Sequence, residues 1–260
     1  MTCITGNNTD LYPCINGTFT KSLPAGAPAR MKTSLVVIPT FNEVESIGAL
    51  LDGLKKLAVD VLIIDDGSPD GTAQVCKAHG VEVIERAGKA GLGSAYRVGF
   101  KIGIDRGYTN IIQMDADGSH QVSDLIRMME WIGTSELLIG SRWVVDGKIQ
   151  NWSKFREYLS KCANAYANAL LSLGVKDTTS GFRIYDVNLL KKMDISTIKS
   201  EGYCFQIEMV RRAISHGGSV GEIPIVFIER GHGVSKMSFG IALEAVVRIT
   251  AWGFLRIVGR

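Results

Sequence analysis

The chain has 260 residues, 46% of them hydrophobic, 21% charged and 29 of them glycine, a balance that excludes a disordered or fibrous protein. Its 29 basic against 26 acidic residues give a formal charge of +3, too small a bias for nucleic-acid binding to be the main task. Five cysteines, odd in number and without a CxxC pair, argue against a disulfide framework or a zinc cluster and point to a reducing compartment.

Residues 1–30 are rich in Thr, Asn, Gly, Pro and Ala and carry no signal-peptide core and no periodicity, so they read as a flexible extension. Met31 opens a lysine-then-apolar pattern and is a second candidate translation start. From Ser34 short β-branched runs alternate with amphipathic stretches, as in an α/β fold with a mostly parallel sheet flanked by helices. Leu35 to Ile38 predicts a strand stopping at Pro39, and Val44, Ile47, Leu50, Leu51 and Leu54 predict a helix. Val61–Ile64, Val81–Ile84 and Ile111–Met114 repeat the strand signal, and the segments from Asp70, Gly93 and Val122 repeat the helical one. Beyond Gly140 the alternation weakens. Helices are expected over Ser153–Leu173 and Tyr203–His216, around an irregular segment containing Thr178 to Arg183, and this half reads as the acceptor side.

The span from Phe239 to Val258 is nearly all apolar, but Glu244, Arg248 and Arg256 recur at multiples of four and put charge along one side of a helix. A bilayer-crossing helix needs about 20 mostly uncharged residues. Two readings stay open: a helix in the membrane interface with Trp252, Phe254 and Leu255 immersed, or a terminal helix packed on the core. The stretch from Glu229 to Arg260 has five basic against two acidic residues, which suits an anionic surface or ligand.

Loops at the carboxyl edge of a parallel sheet are where ligands bind, and three polar clusters fall there. In Met114-Asp115-Ala116-Asp117-Gly118-Ser119-His120, two carboxylates one residue apart can reach one hard cation such as Mg²⁺ or Mn²⁺, which keeps open positions for substrate phosphates; a solvated turn is the plain alternative. In Asp65-Asp66-Gly67-Ser68-Pro69-Asp70 the carboxylates suit a base or ribose, with Asp70 also a good helix N-cap. Phe41 beside Glu43, after the first strand, could stack on and hydrogen-bond a nucleobase. Gly88 to Ala95 fits neither GxGxxG nor GxxxxGK[ST], which disfavours a dehydrogenase or a P-loop enzyme; its glycines are expected to allow close backbone approach to the nucleotide crevice.

In order along the chain, VVIPTFNE, DDGSPDGT, GLGSA, MDADGSH, GSR, NWSKFR, SGFR and ERGHGVSK resemble the inverting family 2 glycosyltransferases of GT-A fold, most closely dolichol-phosphate or polyprenol-phosphate mannose synthases. The resemblance runs from about Ser34 to Lys236. It implies a Rossmann-like GT-A catalytic domain over residues 31–236, followed by an amphipathic membrane-interface helix over 237–260. It implies that Pro39, Phe41, Glu43, Ile64 and Asp66 surround a guanine nucleoside, that Asp115, Ala116 and Asp117 hold the diphosphate, and that Asp115, Asp117 and Ser119 hold Mg²⁺ or Mn²⁺. Arg142, Arg156 and Ser160 would grip the acceptor phosphate, and Arg230 and Lys236 would close over the donor diphosphate, making Asp117, Arg142, Arg156 and Arg230 the catalytic set. The chain departs from the family where Phe41 replaces a frequent Tyr, Ser119 a Gln found in some members, and His232 a further arginine.

The implied reaction moves mannose from GDP-mannose to a polyprenyl phosphate, with inversion, on the cytoplasmic face of a membrane. The enzyme would be peripheral, and the resemblance allows a separate membrane-anchoring subunit. A phosphate monoester is largely dianionic at neutral pH and is already a nucleophile, so no strong base is required and His120 is expected to order the loop as readily as to take part in catalysis. Two alternatives are glucosyl transfer from UDP-glucose and a catalytically silent nucleotide-sugar-binding subunit.

Overall fold

The computed structural model describes residues 34–229 and 239–259. The expected extension at residues 1–30 lies outside the described residues, as do Arg230, His232 and Lys236. The elements in chain order are β1 (Ser34–Thr40), α1 (Val44–Leu54), β2 (Asp60–Asp65), α2 (Thr72–Ala78), β3 (Glu82–Glu85), α3 (Leu92–Asp105), β4 (Asn110–Gln113), α4 (Val122–Met129) and β5 (Leu137–Ser141). Then come β6 (Lys148–Gln150), α5 (Lys154–Leu171), β7 (Arg183–Asp186), α6 (Val187–Lys192), α7 (Gly202–Ser215), β8 (Val220–Pro224), β9 (Val226–Ile228) and α8 (Phe239–Ile257).

The central sheet runs β3-β2-β1-β4-β7-β5-β8 among the described residues. Its pairs are parallel except for β7, which lies antiparallel between β4 and β5. The runs Leu35–Ile38, Leu62–Ile64 and Leu137–Ile139 are apolar and buried because both faces of the sheet are covered, as parallel sheets require. Along β1, Leu35 and Val37 join one core with α3, α5, α6, α7 and α8, while Val36 and Ile38 join a second with α1, α2 and α4. Each such side chain contributes about 1.5–3 kcal/mol by leaving water. Helix α3 lies close to the sheet because Gly103 has no side chain: a Cβ there would meet Ile111 Cδ1 at 2.6 Å.

The reversal at β7 shapes the cleft. Gln113 at the end of β4 pairs with Arg183 at the start of β7, so the irregular segment before Arg183 is delivered to the edge where the parallel strands end. Arg183 is fully buried there, its Nε donating to Ser180 O (2.8 Å), Nη1 to Gln206 O (2.9 Å) and Nη2 to Thr178 O (2.8 Å). A charged residue at the head of a four-residue strand hides it from hydropathy patterns, which is why the alternation fades beyond Gly140. Strands β6 and β9 form a separate parallel pair in which Gln150 sits opposite Ile228.

Of the two readings of the terminal helix, the structure shows the packed one. Helix α8 packs on the core through Ile249, with Tyr166 Oη and Thr250 Oγ1 2.6 Å apart and Arg256 Nη1 donating to Leu171 O at 3.0 Å. Trp252, expected in the interface, instead packs against the core beneath Arg211, whose Cζ is 4.9 Å from its ring centroid. Val246, Val247, Phe254 and Leu255 remain exposed on the opposite side. No described helix is long and apolar enough to cross a membrane.

Candidate active site

One cleft opens at the carboxyl edge of the sheet, and its walls come from segments far apart in sequence. Pro39 lies at the end of β1 and Glu43 follows it; Asp115, Ala116, Asp117, Ser119 and His120 follow β4; Arg142 follows β5; Trp152 precedes α5 and Arg156 lies in its first turn; Thr179 to Gly181 precede β7; Phe227 and Glu229 come from β9 and its end.

The loop after β4 is held tightly. Tyr96 Oη, buried on α3, donates to Asp115 Oδ1 at 2.8 Å. Burial, and then the neighbouring Asp115 charge, push the Tyr96 phenol well above its ordinary range, so it stays a donor. Gly181 gives Asp115 room, since a Cβ there would lie 3.2 Å from Oδ2. Asp117 Oδ1 accepts from Ser119 N (3.1 Å) and Ser119 Oγ (2.6 Å), around Gly118 at φ +76°. Two carboxylates and a hydroxyl thus share one loop, a set of hard oxygen donors that fits Mg²⁺ or Mn²⁺. No group of three or more His, Cys, Asp or Glu side chains among the described residues is placed to hold a metal ion, so such an ion would need oxygens from a ligand to complete its shell.

His120 is buried, stacked on Phe182 at 4.7 Å, and its Nδ1 accepts the Asp115 backbone N–H at 3.1 Å. That bond fixes the proton on Nε2. Burial, outweighing the nearby aspartates, pulls the imidazole below its ordinary value and keeps it neutral. His120 therefore orders the loop, as one of the two sequence expectations held.

The two arginines reach the cleft in different states. Arg142 forks onto Asp177, with Nε donating to Oδ2 (2.7 Å) and Nη2 to Oδ1 (2.7 Å), and Nη2 also donating to Thr179 Oγ1 (2.8 Å). Burial pushes the Asp177 carboxyl up, but the Arg142 charge and its hydrogen bonds hold it below the ordinary range. Trp143, Trp152 and Phe227 box the Arg142 guanidinium, with centroids 5.3–5.7 Å from Cζ. Nη1 makes no hydrogen bond among the described residues and is the part left to face a ligand. Arg156 lies over the Trp152 ring at 4.2 Å and pairs through Nη1 with Glu229. Ser153 caps α5 by accepting Arg156 N at 3.3 Å, which fixes where that side chain starts.

Not every expected contact is in the cleft. Ser160 is half-buried one turn beyond Arg156 and does not line it. Ile64 is fully buried in the core, so its side chain cannot meet a nucleoside. Phe41 and Asp66 sit further along the same edge: Phe41 carries Lys89 Nζ at 5.1 Å from its centroid, and Asp66 takes Arg86 Nε (2.6 Å) and Ala90 N (3.1 Å). Asp65 is spent on Thr40 Oγ1 (2.7 Å) and on Ser68 N (2.8 Å) and Oγ (2.6 Å). Asp70 is not the N-cap of α2, a place taken by Gly71 at φ +91°; it accepts Thr72 N (3.0 Å) and reaches across to Val44 N of α1 (3.2 Å).

The glycine segment is also put to another use. Gly93 N donates to Glu201 Oε2 (2.7 Å) and Ser94 N to Glu201 Oε1 (3.1 Å), so a carboxylate from the far end of the chain caps α3. A Cβ on Gly93 would lie 2.7 Å from Ser200 O. The glycines admit this segment. Sequence reasoning did not assign Trp152, Thr179, Tyr203, Phe227 and Glu229 to the cleft; Trp152 and Glu229 had a signal, lying inside the NWSKFR and ERGHGVSK motifs, and Thr179 lay in the irregular segment read as the acceptor side.

Residues 35–194 match the Glycosyl transferase family 2 domain. The chain is 44% identical over 229 residues to polyprenol monophosphomannose synthase of Mycolicibacterium smegmatis, covering 85% of this chain and 86% of that protein. It is 43% identical over 226 residues to undecaprenyl-phosphate mannosyltransferase of Micrococcus luteus, covering 84% and 93%. Glucosyl-3-phosphoglycerate synthase of Mycobacterium tuberculosis, solved with Mn²⁺, uridine diphosphate and glucosyl-3-phosphoglycerate, superposes with a TM-score of 0.64 over 91% of this chain and 86% of that one. At 17% identity that likeness shows the fold, which is of GT-A type.

Proposed function

The chain belongs to glycosyl transferase family 2, and from that premise we propose that it transfers mannose from GDP-mannose to a polyprenyl phosphate, inverting the anomeric centre. The observation that carries this reading is the meeting, in one cleft, of the Asp115 and Asp117 carboxylates with the Arg142 and Arg156 guanidiniums. Acids on one wall suit a metal-bound diphosphate, and arginines on the other suit a phosphate monoester.

Asp115, Asp117 and Ser119 would hold Mg²⁺ or Mn²⁺, which when bound neutralises charge developing on the departing diphosphate. Tyr96 keeps Asp115 oriented for that task. Pro39 and Glu43, with Phe41 and Asp66 further along the edge, are assigned to the nucleoside, and Arg230 and Lys236 to the diphosphate by the family motif. Arg142 and Arg156 hold the acceptor phosphate, whose dianion attacks the sugar's C1 without a general base. His120 cannot serve as one, because its Nδ1 lone pair is engaged by Asp115 N–H.

A polyprenyl chain stays in the bilayer, so the enzyme must come to it as a peripheral protein, on the cytoplasmic face where nucleotide sugars are found. Phe155, Tyr158 and Leu159 flank Arg156 and are exposed, which supports a membrane-facing surface beside the acceptor site; Phe254 and Leu255 are exposed on α8, which packs on the other end of α5. A separate membrane-anchoring subunit would add to this anchorage and should co-purify with the chain. Purified protein given labelled GDP-mannose and polyprenyl phosphate should form a mannolipid, and UDP-glucose should not replace the donor. Asp117→Asn should reduce turnover by about a thousandfold, since metal-dependent leaving-group stabilisation is lost. Full turnover of this variant with added Mg²⁺ or Mn²⁺ would remove the metal assignment.

A further inference from the structure

Arg156 does not meet the cleft as a free cation. Its Nη1 donates to Glu229 Oε1 while its guanidinium rests on Trp152. The side chains of Arg156 and Glu229 are 26% and 32% exposed, so water reaches the pair from the cleft. The β6–β9 ladder places the carboxylate: Ile228 pairs with Gln150, and Glu229 N donates to Gln150 O at 3.1 Å. The same ladder sets where Trp152 begins, so the acid and the indole arrive at Arg156 from two tied strands. Arg142 is neutralised differently, by an Asp177 that is fully buried.

We propose that Glu229 is a displaceable internal ligand of the acceptor-phosphate site, occupying Arg156 until a phosphate dianion takes its place and so setting which anions can enter. The inference rests on the reading of Arg156 as an acceptor-phosphate contact. A tethered carboxylate competes at an effective concentration of about millimolar or more. A free carboxylate or halide brings no more charge than Glu229 and loses to it. A phosphate monoester brings a charge of about −1.5 to −2 at neutral pH and three acceptor oxygens, and so offers the guanidinium fork a stronger partner. Once displaced, Glu229 is exposed enough to be hydrated, so the exchange strands no buried charge. Asp177 could not leave Arg142 on those terms. Glu229 acts through Arg156 and is a positioning and specificity-determining residue.

The test is calorimetric titration of a short, soluble prenyl phosphate, farnesyl phosphate, into the full-length chain. Glu229→Gln should bind it about two- to fivefold more tightly than the parent, the upper part of the span that a partly exposed ion pair carries. Acceptor KM should fall by a similar factor while donor KM stays put. Glu229→Asp, which keeps the charge but retracts it by one methylene, should give an intermediate gain and decides the matter should the Gln variant fail to fold. In an Arg156→Ala background the gain from Glu229→Gln should vanish. Equal or weaker binding by both Glu229 variants would overturn the inference while leaving the acceptor reading intact. A gain that persists without Arg156 would do the same, because it would mean general repulsion. No binding to any of these proteins would overturn the acceptor reading and this inference with it.

Discussion

Arg142 and Arg156 line the same cleft, but one sits in an aromatic box and the other at an open mouth. Arg142 is 5% exposed, is held by a fully buried carboxylate through both of its oxygens and is walled by three aromatic rings. Arg156 rests on one ring and pairs with a carboxylate that water can reach. The same side chain is thus held in two ways: in the box its fork on Asp177 ties β5 to the segment before β7 and leaves Nη1 for a ligand, and at the mouth the guanidinium remains available for exchange. Burial decides which, because a buried charge cannot lose its partner cheaply while a half-exposed one can.

Variants can break that contrast. The largest effect is expected from Asp177→Asn, which leaves the Arg142 charge buried without its counter-ion and should cost about 3–5 kcal/mol in chemical unfolding. A loss below about 1 kcal/mol would mean that the box is open to water. Acid should sharpen the same point. Since the Asp177 carboxyl is held below its ordinary range in the folded chain, the stability it contributes is fully present above about pH 4 and drains away as pH falls through the lowered value. The gap between parent and Asp177→Asn should therefore hold at about pH 5 and close only in stronger acid, as followed by urea unfolding at a series of pH values. A gap closing between about pH 5 and 7 would point to another group. The smallest effect on stability is expected from Arg156→Ala, under about 1 kcal/mol by thermal unfolding, yet acceptor KM should rise at least about tenfold with donor KM little changed. Equal loss on both substrates would erase the division of labour between the two walls.

The first half of the chain was largely legible as sequence. Strand β1 and helix α1 follow from a short apolar run and from helical spacing, both local signals. Asp115 and Asp117 were found because their chemistry is carried by neighbours in the sequence. The second half was not. Strand β7 begins with a buried arginine satisfied by three backbone carbonyls, and β6 and β9 are three residues each, too short for any period to show. Glu201 gave no sign that it would cap α3, for its partners Gly93 and Ser94 lie more than a hundred residues away.

What the sequence determined by itself was the α/β class, the order of the first βα units, the paired acids after β4, and, through its motifs, the family. These depend on periodicity and on residues adjacent in the chain. The tertiary structure alone decided that β7 runs backwards, that Ile64 belongs to the core, that Trp252 turns inward, and that Asp177 and Glu229 share out the two arginines. Partner choice among charges depends on distance and on access to water, and a chain acquires both only when segments such as β6 and β9 are brought side by side.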